Sequence, residues 1–254
     1  MKMVSQTDIG RVRMVNEDRA ALQRGLDGLS AAIVADGMGG HQAGDIASQM
    51  AIDIIQKELQ GLNRHMPEEE IREALRNAIE IANEIIYEFA SQRENYHGMG
   101  TTVVVTVASS ERLIIGHIGD SRAYKINSET IVQLTEDHSL VNELVKSGQI
   151  TPEEASQHPR RNVLTRALGT EPGVEADIHE FSWTAGETVL LCTDGLSNLI
   201  EPLAIWGILK TEPDLEAAAH KLVLQALEAG GDDNITVILL LNEPDADKGK
   251  GDEG

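Results

Sequence analysis

The chain has 254 residues, enough for one large domain with a substantial core or two small ones, and its 41% hydrophobic and 25% charged residues are ordinary for a globular protein. A formal net charge of -21 argues against a nucleic-acid binder, because a phosphate backbone would be repelled. Aromatic residues make up only 3%, so Ala, Val, Ile and Leu have to fill the core.

The opening Met1-Lys2-Met3-Val4-Ser5-Gln6 has no apolar signal-peptide core, and no stretch approaches the ~18 apolar residues of a membrane span. A cytoplasmic, unanchored monomer is expected. The run Ala31 to Ala35 reads as a buried strand. Two helical stripes follow: Ala43, Ile46, Ala47, Met50 and Ile54, then Ile71, Leu75, Ala78, Ala82, Ile85 and Phe89. Pro67 followed by Glu68, Glu69 and Glu70 opens the second, with Pro in the first turn and acids at the positive end of the dipole. His97-Gly98-Met99-Gly100 breaks it. Short β-branched runs then predict strands over Thr101 to Ala108, Leu113 to Ile118 and Ile131 to Leu134.

Residues 137 to 169 read as a helical flap. Leu140, Val141, Leu144 and Val145 form one short amphipathic helix stopped by Gly148, and Thr151-Pro152-Glu153-Glu154 is a capping box that opens another. Strand Val189 to Thr193 holds the one cysteine, Cys192; a lone thiol makes no internal disulfide, which fits a reducing compartment and a buried core position. A helix over about Asp214 to Ala229, stopped by Gly230-Gly231, precedes strand Ile235 to Leu241. Residues 243 to 254 are polar and acidic and read as a disordered tail. The pattern predicts an α+β body over 1–242 with sheets covered by helices.

Aspartates recur where these strands end. Asp36-Gly37 follows Ala31 to Ala35, Asp120 follows Leu113 to Gly119, Asp194-Gly195 follows Val189 to Thr193, and Asp232-Asp233 precedes Ile235. One Asp-Gly alone is a turn. Several at one end of a sheet body would repel one another unless cations lay between them. An all-oxygen ligand set, with no His or Cys pair at metal spacing, suits Mg²⁺ or Mn²⁺ over Zn²⁺. Periodicity does not establish that the four converge.

Six segments in order carry a resemblance over about residues 4 to 241: Thr7-Asp8-Ile9-Gly10 with Arg13 and Asn16-Glu17-Asp18; Asp36-Gly37-Met38-Gly39-Gly40-His41; Gly98-Met99-Gly100-Thr101-Thr102; Gly119-Asp120-Ser121-Arg122; Thr193-Asp194-Gly195-Leu196; and Asp233-Asn234-Ile235-Thr236. Together they resemble the PPM family, the metal-dependent type-2C protein phosphatases. Met38 and the segment His158 to Gly169 most resemble its small stand-alone bacterial members. The resemblance implies a four-layer α-β-β-α sandwich of two antiparallel sheets with a flap beside a metal cleft. It implies hydrolysis of phosphoserine and phosphothreonine on proteins, with a membrane Ser/Thr kinase and that kinase's substrates as partners. It implies two Mn²⁺ or Mg²⁺ ions and a third, weaker one. Asp36 would bridge the two core cations, the Gly37 carbonyl and Asp233 would join the first, Asp194 the second, and Asp120 the third beside Asp194. Glu17 and Asp18 would hold cation-bound waters, and Arg13 would grip the phosphate with a planar fork that Lys does not reproduce. The plainer alternative for Arg13 is a surface salt bridge, and for Glu17 a cap.

That ligand set suits the reaction. Phosphate monoesters are among the slowest bonds to hydrolyse unaided, needing enhancements up to roughly 10²¹. Two cations about 3.5–4 Å apart make hydroxide available at neutral pH and neutralise the phosphoryl oxygens. One departure stands out: other branches of the family carry a His after the Asp-Gly, a candidate acid for the leaving alkoxide, and here that residue is Met38. His41 is a nearby substitute, although a turn or supporting role suits it better. Arg160, Arg161 and Arg166 lie in the flap in a stretch free of acids, and either attract a phosphorylated peptide or pair with body carboxylates.

Other phosphatase chemistries fail on spacing. A cysteine phosphatase needs Arg six positions after its Cys, where Asn198 follows Cys192; no Gly-x₄-Gly-Lys-Ser/Thr stretch occurs either. A catalytically inactive binding module of the same fold should lack a core ligand, yet Asp36, Asp194 and Asp233 are all present. An enzyme dedicated to one phosphoprotein regulator has the same sequence signature as a broad one.

Overall fold

A computed structural model describes residues 1–39 and 43–243. The first strands are β1 (Lys2–Asp8), β2 (Asp18–Leu26) and β3 (Leu29–Met38), followed by helices α1 (Ala43–Glu58) and α2 (Glu68–Ser91). Next come β4 (Gly100–Thr101), β5 (Val103–Ala108), β6 (Arg112–Ile118), β7 (Arg122–Ile126) and β8 (Ile131–Gln133). The flap contributes α3 (Leu140–Lys146) and α4 (Pro152–Ser156). The chain then returns through β9 (Asp177–Ser182), β10 (Thr188–Cys192), α5 (Asp194–Ser197), α6 (Pro202–Thr211), α7 (Leu215–Glu228) and β11 (Ile235–Leu241). His41, and the expected tail from residue 244 onward, lie outside the described residues.

Two antiparallel sheets result, ordered β1-β11-β10-β7-β8 and β2-β3-β5-β6-β9, with β4 pairing the end of β3. Strand alternation sorts the side chains into three apolar layers. In β3, Ala31, Ile33 and Ala35 face α1 and α2, while Ala32 and Val34 face the other sheet. In β11, Val237 and Leu239 face α7, while Ile238 and Leu240 meet Val34, Val104 and Ile115 between the sheets. The expected four-layer α-β-β-α sandwich is therefore the observed fold. Each large aliphatic side chain buried this way contributes about 1.5–3 kcal/mol. The central strands are apolar on both faces because both faces are covered, which is why they read as unbroken runs in the sequence.

Several local expectations need correction. In α2 the buried stripe runs Ile71, Leu75, Ala78, Ile79, Ala82, Ile86 and Ala90; Ile85, expected inside, is 42% exposed. After Ala82 the 3.6-residue period selects the i+4 neighbour Ile86 over the equally apolar i+3 one. In α1, for the same reason, Ile55 is buried and Ile54 only partly so. Pro67 is the N-cap of α2 and not part of its first turn. Strands β1, β2, β7 and β9, and helices α5 and α6, have no counterpart in the sequence reading. No described helix is long and apolar enough to cross a membrane.

Candidate active site

The sheet ends decide where the carboxylates go. Asp36 lies near the end of β3, and its cross-strand partner in β2 is Asp18. Asp194 begins α5 directly after β10, and Asp233 stands just before β11; because β10 and β11 are antiparallel neighbours, the two fall at the same end of their sheet. Asp120 occupies the turn from β6 to β7, where the chain crosses between sheets. Asp36, Asp120, Asp194 and Asp233 line one cleft of about 230 Å³ together with Arg13, Glu17, Gly37 and Met38. Asn162 and Leu164 close it from the flap.

A hydrogen-bonded scaffold holds these groups. The Asp36 amide donates to Thr102 Oγ1 (3.0 Å), and the Asp36 carbonyl accepts from the Thr102 amide and from Thr101 Oγ1, both at 2.9 Å. Asn234 staples the loop that carries Arg13: its Nδ2 donates to the Ile9 and Val15 carbonyls (2.9 and 3.0 Å), and its Oδ1 accepts from the Glu17 amide (2.8 Å). Thr193 Oγ1 donates to Asp18 Oδ2 (2.8 Å) and accepts from the Thr236 amide (3.0 Å), which pins the Asp18 carboxylate across the inter-sheet space. Gly37 leaves no room for a side chain, since a Cβ there would strike the Gly44 carbonyl at the start of α1. The supporting roles of Thr102, Thr193 and Asn234 were not legible beforehand, although each belongs to a recognised motif.

The electrostatics are those of a cation site. Burial, followed by mutual carboxylate repulsion, raises Asp36 well above the ordinary carboxylate range. Burial also lifts Asp18 and Asp120 to about 7 and Asp194 to about 6. Glu17 is raised mainly by desolvation, against the lowering influence of Arg13 and the first amides of α1. Two carboxylate oxygens, Glu17 Oε1 and Asp18 Oδ1, are buried without a hydrogen-bond partner. A protein interior rarely tolerates such atoms unless something positive or a bound water completes them. Among the described residues that line the cleft, the one cationic side chain is Arg13, whose Nη2 pairs with Asp233 Oδ2 at 2.7 Å. Residues and charge thus fit divalent cations bound through oxygen.

The flap arginines separate in space. Arg166 pairs with Asp177 (3.0 Å), so it supports the fold. Arg161 is exposed and lines a second cleft of about 500 Å³, which runs between the flap helices and residues 194–202 and shares Asp120 and Asp194 with the first. Arg160 is exposed and lines neither cleft. A larger groove between α2 and residues 172–174 contains the acids Glu58, Glu80 and Glu84 but none of this chemistry.

Comparison with known proteins agrees with this architecture. The family description "Protein phosphatase 2C" matches residues 9–234. The serine/threonine phosphatase stp of Listeria welshimeri is 41% identical over 235 residues, covering 92% of this chain and 93% of that one. The crystal structure of serine/threonine phosphatase Stp1 from Staphylococcus aureus superposes with a TM-score of 0.91 at 36% identity, covering 96% of this chain and 95% of the other. The catalytic domain of the serine/threonine protein phosphatase PstP, solved in complex with two manganese ions, superposes with a TM-score of 0.80 at 35% identity, covering 94% and 96%. With its two helix-covered sheets and the carboxylates gathered where they end, the chain belongs to the protein phosphatase 2C family.

Proposed function

We propose that this protein serine/threonine phosphatase holds two Mn²⁺ or Mg²⁺ ions in the Asp36–Asp194–Asp233 cleft and hydrolyses phosphoserine and phosphothreonine by direct attack of water. The observation that carries the reading is the convergence of four aspartates in one cleft beside buried, unpartnered carboxylate oxygens. Asp36, the Gly37 carbonyl and Asp233 would hold one cation, Asp36 and Asp194 the other, and Asp120 a third. Glu17 and Asp18 would hold water at the cluster. When bound, the cations lower the pKa of a water and neutralise the phosphoryl oxygens. The catalytic domain of PstP, a relative of the same fold, was solved with two manganese ions, which supports a two-cation reading. Met38 lines the cleft and has no proton to give, so the leaving alkoxide is assigned a proton from water. His41 stays a candidate outside the described residues.

Arg13 acts on the substrate's phosphoryl group. Its pairing with Asp233 places the guanidinium at the cleft mouth, where a phosphate dianion competes for the same fork. Because that contact exists in both the ground state and the transition state, Arg13→Ala should raise KM roughly tenfold for a phosphopeptide and for p-nitrophenyl phosphate alike, while kcat changes less. Steady-state kinetics on both substrates checks this; unchanged constants would return Arg13 to a purely structural ion pair.

The opposing partner is a membrane Ser/Thr kinase, whose substrates, and the kinase itself, supply the phosphoproteins; the enzyme works as a cytoplasmic monomer. Comparing the phosphoproteomes of a deletion strain and its parent tests this reading and reveals whether the enzyme is broad or dedicated to one regulator.

The flap adds a peptide-level preference. Arg160→Ala/Arg161→Ala should impair turnover of phosphoproteins more than of p-nitrophenyl phosphate, because a small aryl phosphate has no chain to reach the flap. On a molecule of net charge -21, local positive charge matters most for acidic targets. The difference should shrink with added salt, since exposed charges are screened beyond about 8–10 Å near physiological ionic strength. Equal losses on both substrates across a salt series would make these arginines structural.

A further inference from the structure

Beside the turn that carries Asp120 lies a polar cluster of two buried histidines and a half-buried aspartate that the reaction as described does not use. His117, His138 and Asp177 bring potential ligand atoms within 4.8 Å of one another. The protons in the cluster rule out a simple metal site. The Gly119 amide can only donate, and it donates to His138 Nδ1 at 3.1 Å. The neutral ring then carries its proton on Nε2, 3.2 Å from Asp177 Oδ2, and has no lone pair left for a cation. His117 Nε2 likewise donates to the Glu136 carbonyl at 2.8 Å. The rings lie 4.4 Å apart between centroids, tilted by 30°. Burial pushes His117 down to about 4 and lowers His138 as well, so both stay neutral despite the nearby Asp177, Asp137 and Glu136.

His138 bridges the turn that carries Asp120 and the flap's returning chain. On one side it grips the turn that carries Asp120: its amide donates to the Gly119 carbonyl (2.8 Å) while its ring accepts from the Gly119 amide. Gly119 has φ +106, a left-handed backbone, and a Cβ there would lie 2.6 Å from the Thr102 side chain. The turn is thus held by sterics on one face and by His138 on the other. Next to it, Asp137 clamps Arg122 with bonds of 2.9 and 2.6 Å, and Thr135 Oγ1 accepts from the Ala123 amide (3.0 Å). On the other side, the His138 carbonyl accepts from the Thr165 amide (2.9 Å) on the flap's returning chain, and Asp177 binds Arg166 of the same segment. Ser139, the next residue, caps α3.

We propose that His138 is a positioning residue that sets the direction of the Asp120 carboxylate through the Gly119 amide and ties it to the flap, so that cation binding at Asp120 depends on an acceptor at His138 Nδ1. The inference rests on the assignment of Asp120 as a cation ligand. An Asn at this position places Oδ1 where Nδ1 lies and preserves the acceptor. Leu keeps the bulk without it. Gln reaches toward Asp177 but leaves the Gly119 amide unpaired.

Calorimetric Mn²⁺ titration of the metal-stripped proteins decides it. In the wild type a weak class of site is expected beside the tight ones, and Asp120→Asn should remove it. His138→Leu and His138→Gln should weaken that class tenfold or more and leave the tight sites within threefold, while His138→Asn should stay close to wild type. If the Leu variant does not fold, the Asn and Gln pair makes the same discrimination. In ¹⁵N-edited imidazole spectra, wild-type His138 should be the Nε2–H tautomer at neutral pH. A weak class lost in Asp120→Asn but equal in all His138 variants would overturn the positioning role alone. A weak class that survives Asp120→Asn would overturn both it and the ligand assignment. Zn²⁺ that perturbs the His117 and His138 rings together would make the cluster a metal site and overturn the inference.

Discussion

Asp36→Asn and Asp194→Asn should each abolish hydrolysis, by on the order of 10³-fold or more, without unfolding the protein. Both carboxylates sit where strands give way to the cleft, and neither fills the apolar layers, so an isosteric amide removes a ligand and leaves the packing intact. Asp36 is the more telling of the two. It faces the charges of Asp18, Asp194, Asp120 and Asp233, and without cations that repulsion works against folding. Asp36→Asn is therefore expected to raise the melting temperature of the metal-stripped protein while it eliminates activity. A general structural defect would lower both. Thermal melts in chelator, set beside p-nitrophenyl phosphate turnover in Mn²⁺, separate the outcomes. A folded variant with most of its activity would remove Asp36 from the ligand set.

Removing divalent cations should abolish turnover and also reveal a pH-dependent stability that cations suppress. Asp18 and Asp120 titrate near 7 and Asp194 near 6 in the folded chain, against 3.8 in an unfolded one. Between those values the folded state binds more protons than the unfolded state, so these groups lose stability as pH rises through the window. His117, lowered to about 4 from 6.5, acts in the opposite sense: its contribution is present above 6.5 and is lost as pH falls toward 4. The two trends oppose each other at acid pH, so the clean comparison lies between pH 6.5 and 8, where the carboxylates dominate. There the metal-stripped protein should melt lower at pH 8, and saturating Mn²⁺ should raise the melting temperature more at pH 8 than at 6.5. Binding at pH 6.5 should also release protons, which is measurable as a buffer dependence of the calorimetric heat. Full turnover after exhaustive chelation, or a cation stabilisation independent of pH, would contradict the site as assigned.

The parts of the fold that sequence periodicity missed share a physical cause. β1 and β2 are edge strands whose residues are mostly half-buried or exposed, and they carry Ser5, Gln6, Arg19 and Gln23 among the apolar positions. β9 is also an edge, with His179 and Glu180 exposed. β7 is five residues long and holds Arg122 and Lys125, whose charges are met by Asp137 and Glu187, contacts distant in sequence. Only partners elsewhere in the chain make these segments strands. In α2 the pattern located the helix but not its inward line, because Ile85 and Ile86 are equally apolar and the packing against the sheet chooses between them.

By itself the sequence determined that the chain makes buried strands and amphipathic helices, that carboxylates punctuate those strands, and, through six ordered motifs, the family to which it belongs. Those features are local: apolar period, turn chemistry and motif order are written in neighbouring residues. Tertiary structure alone decided which charges meet. It set Asp18 opposite Asp36, and Asp194 beside Asp233, through strand register. It joined Arg13 to Asp233 across the length of the chain and sent Arg166 to Asp177 while leaving Arg161 on the cleft. It also placed His138 against the Gly119 amide. Coulomb interactions and hydrogen bonds depend on distance in space, and residues more than two hundred positions apart acquire that distance only when the two sheets close on one another.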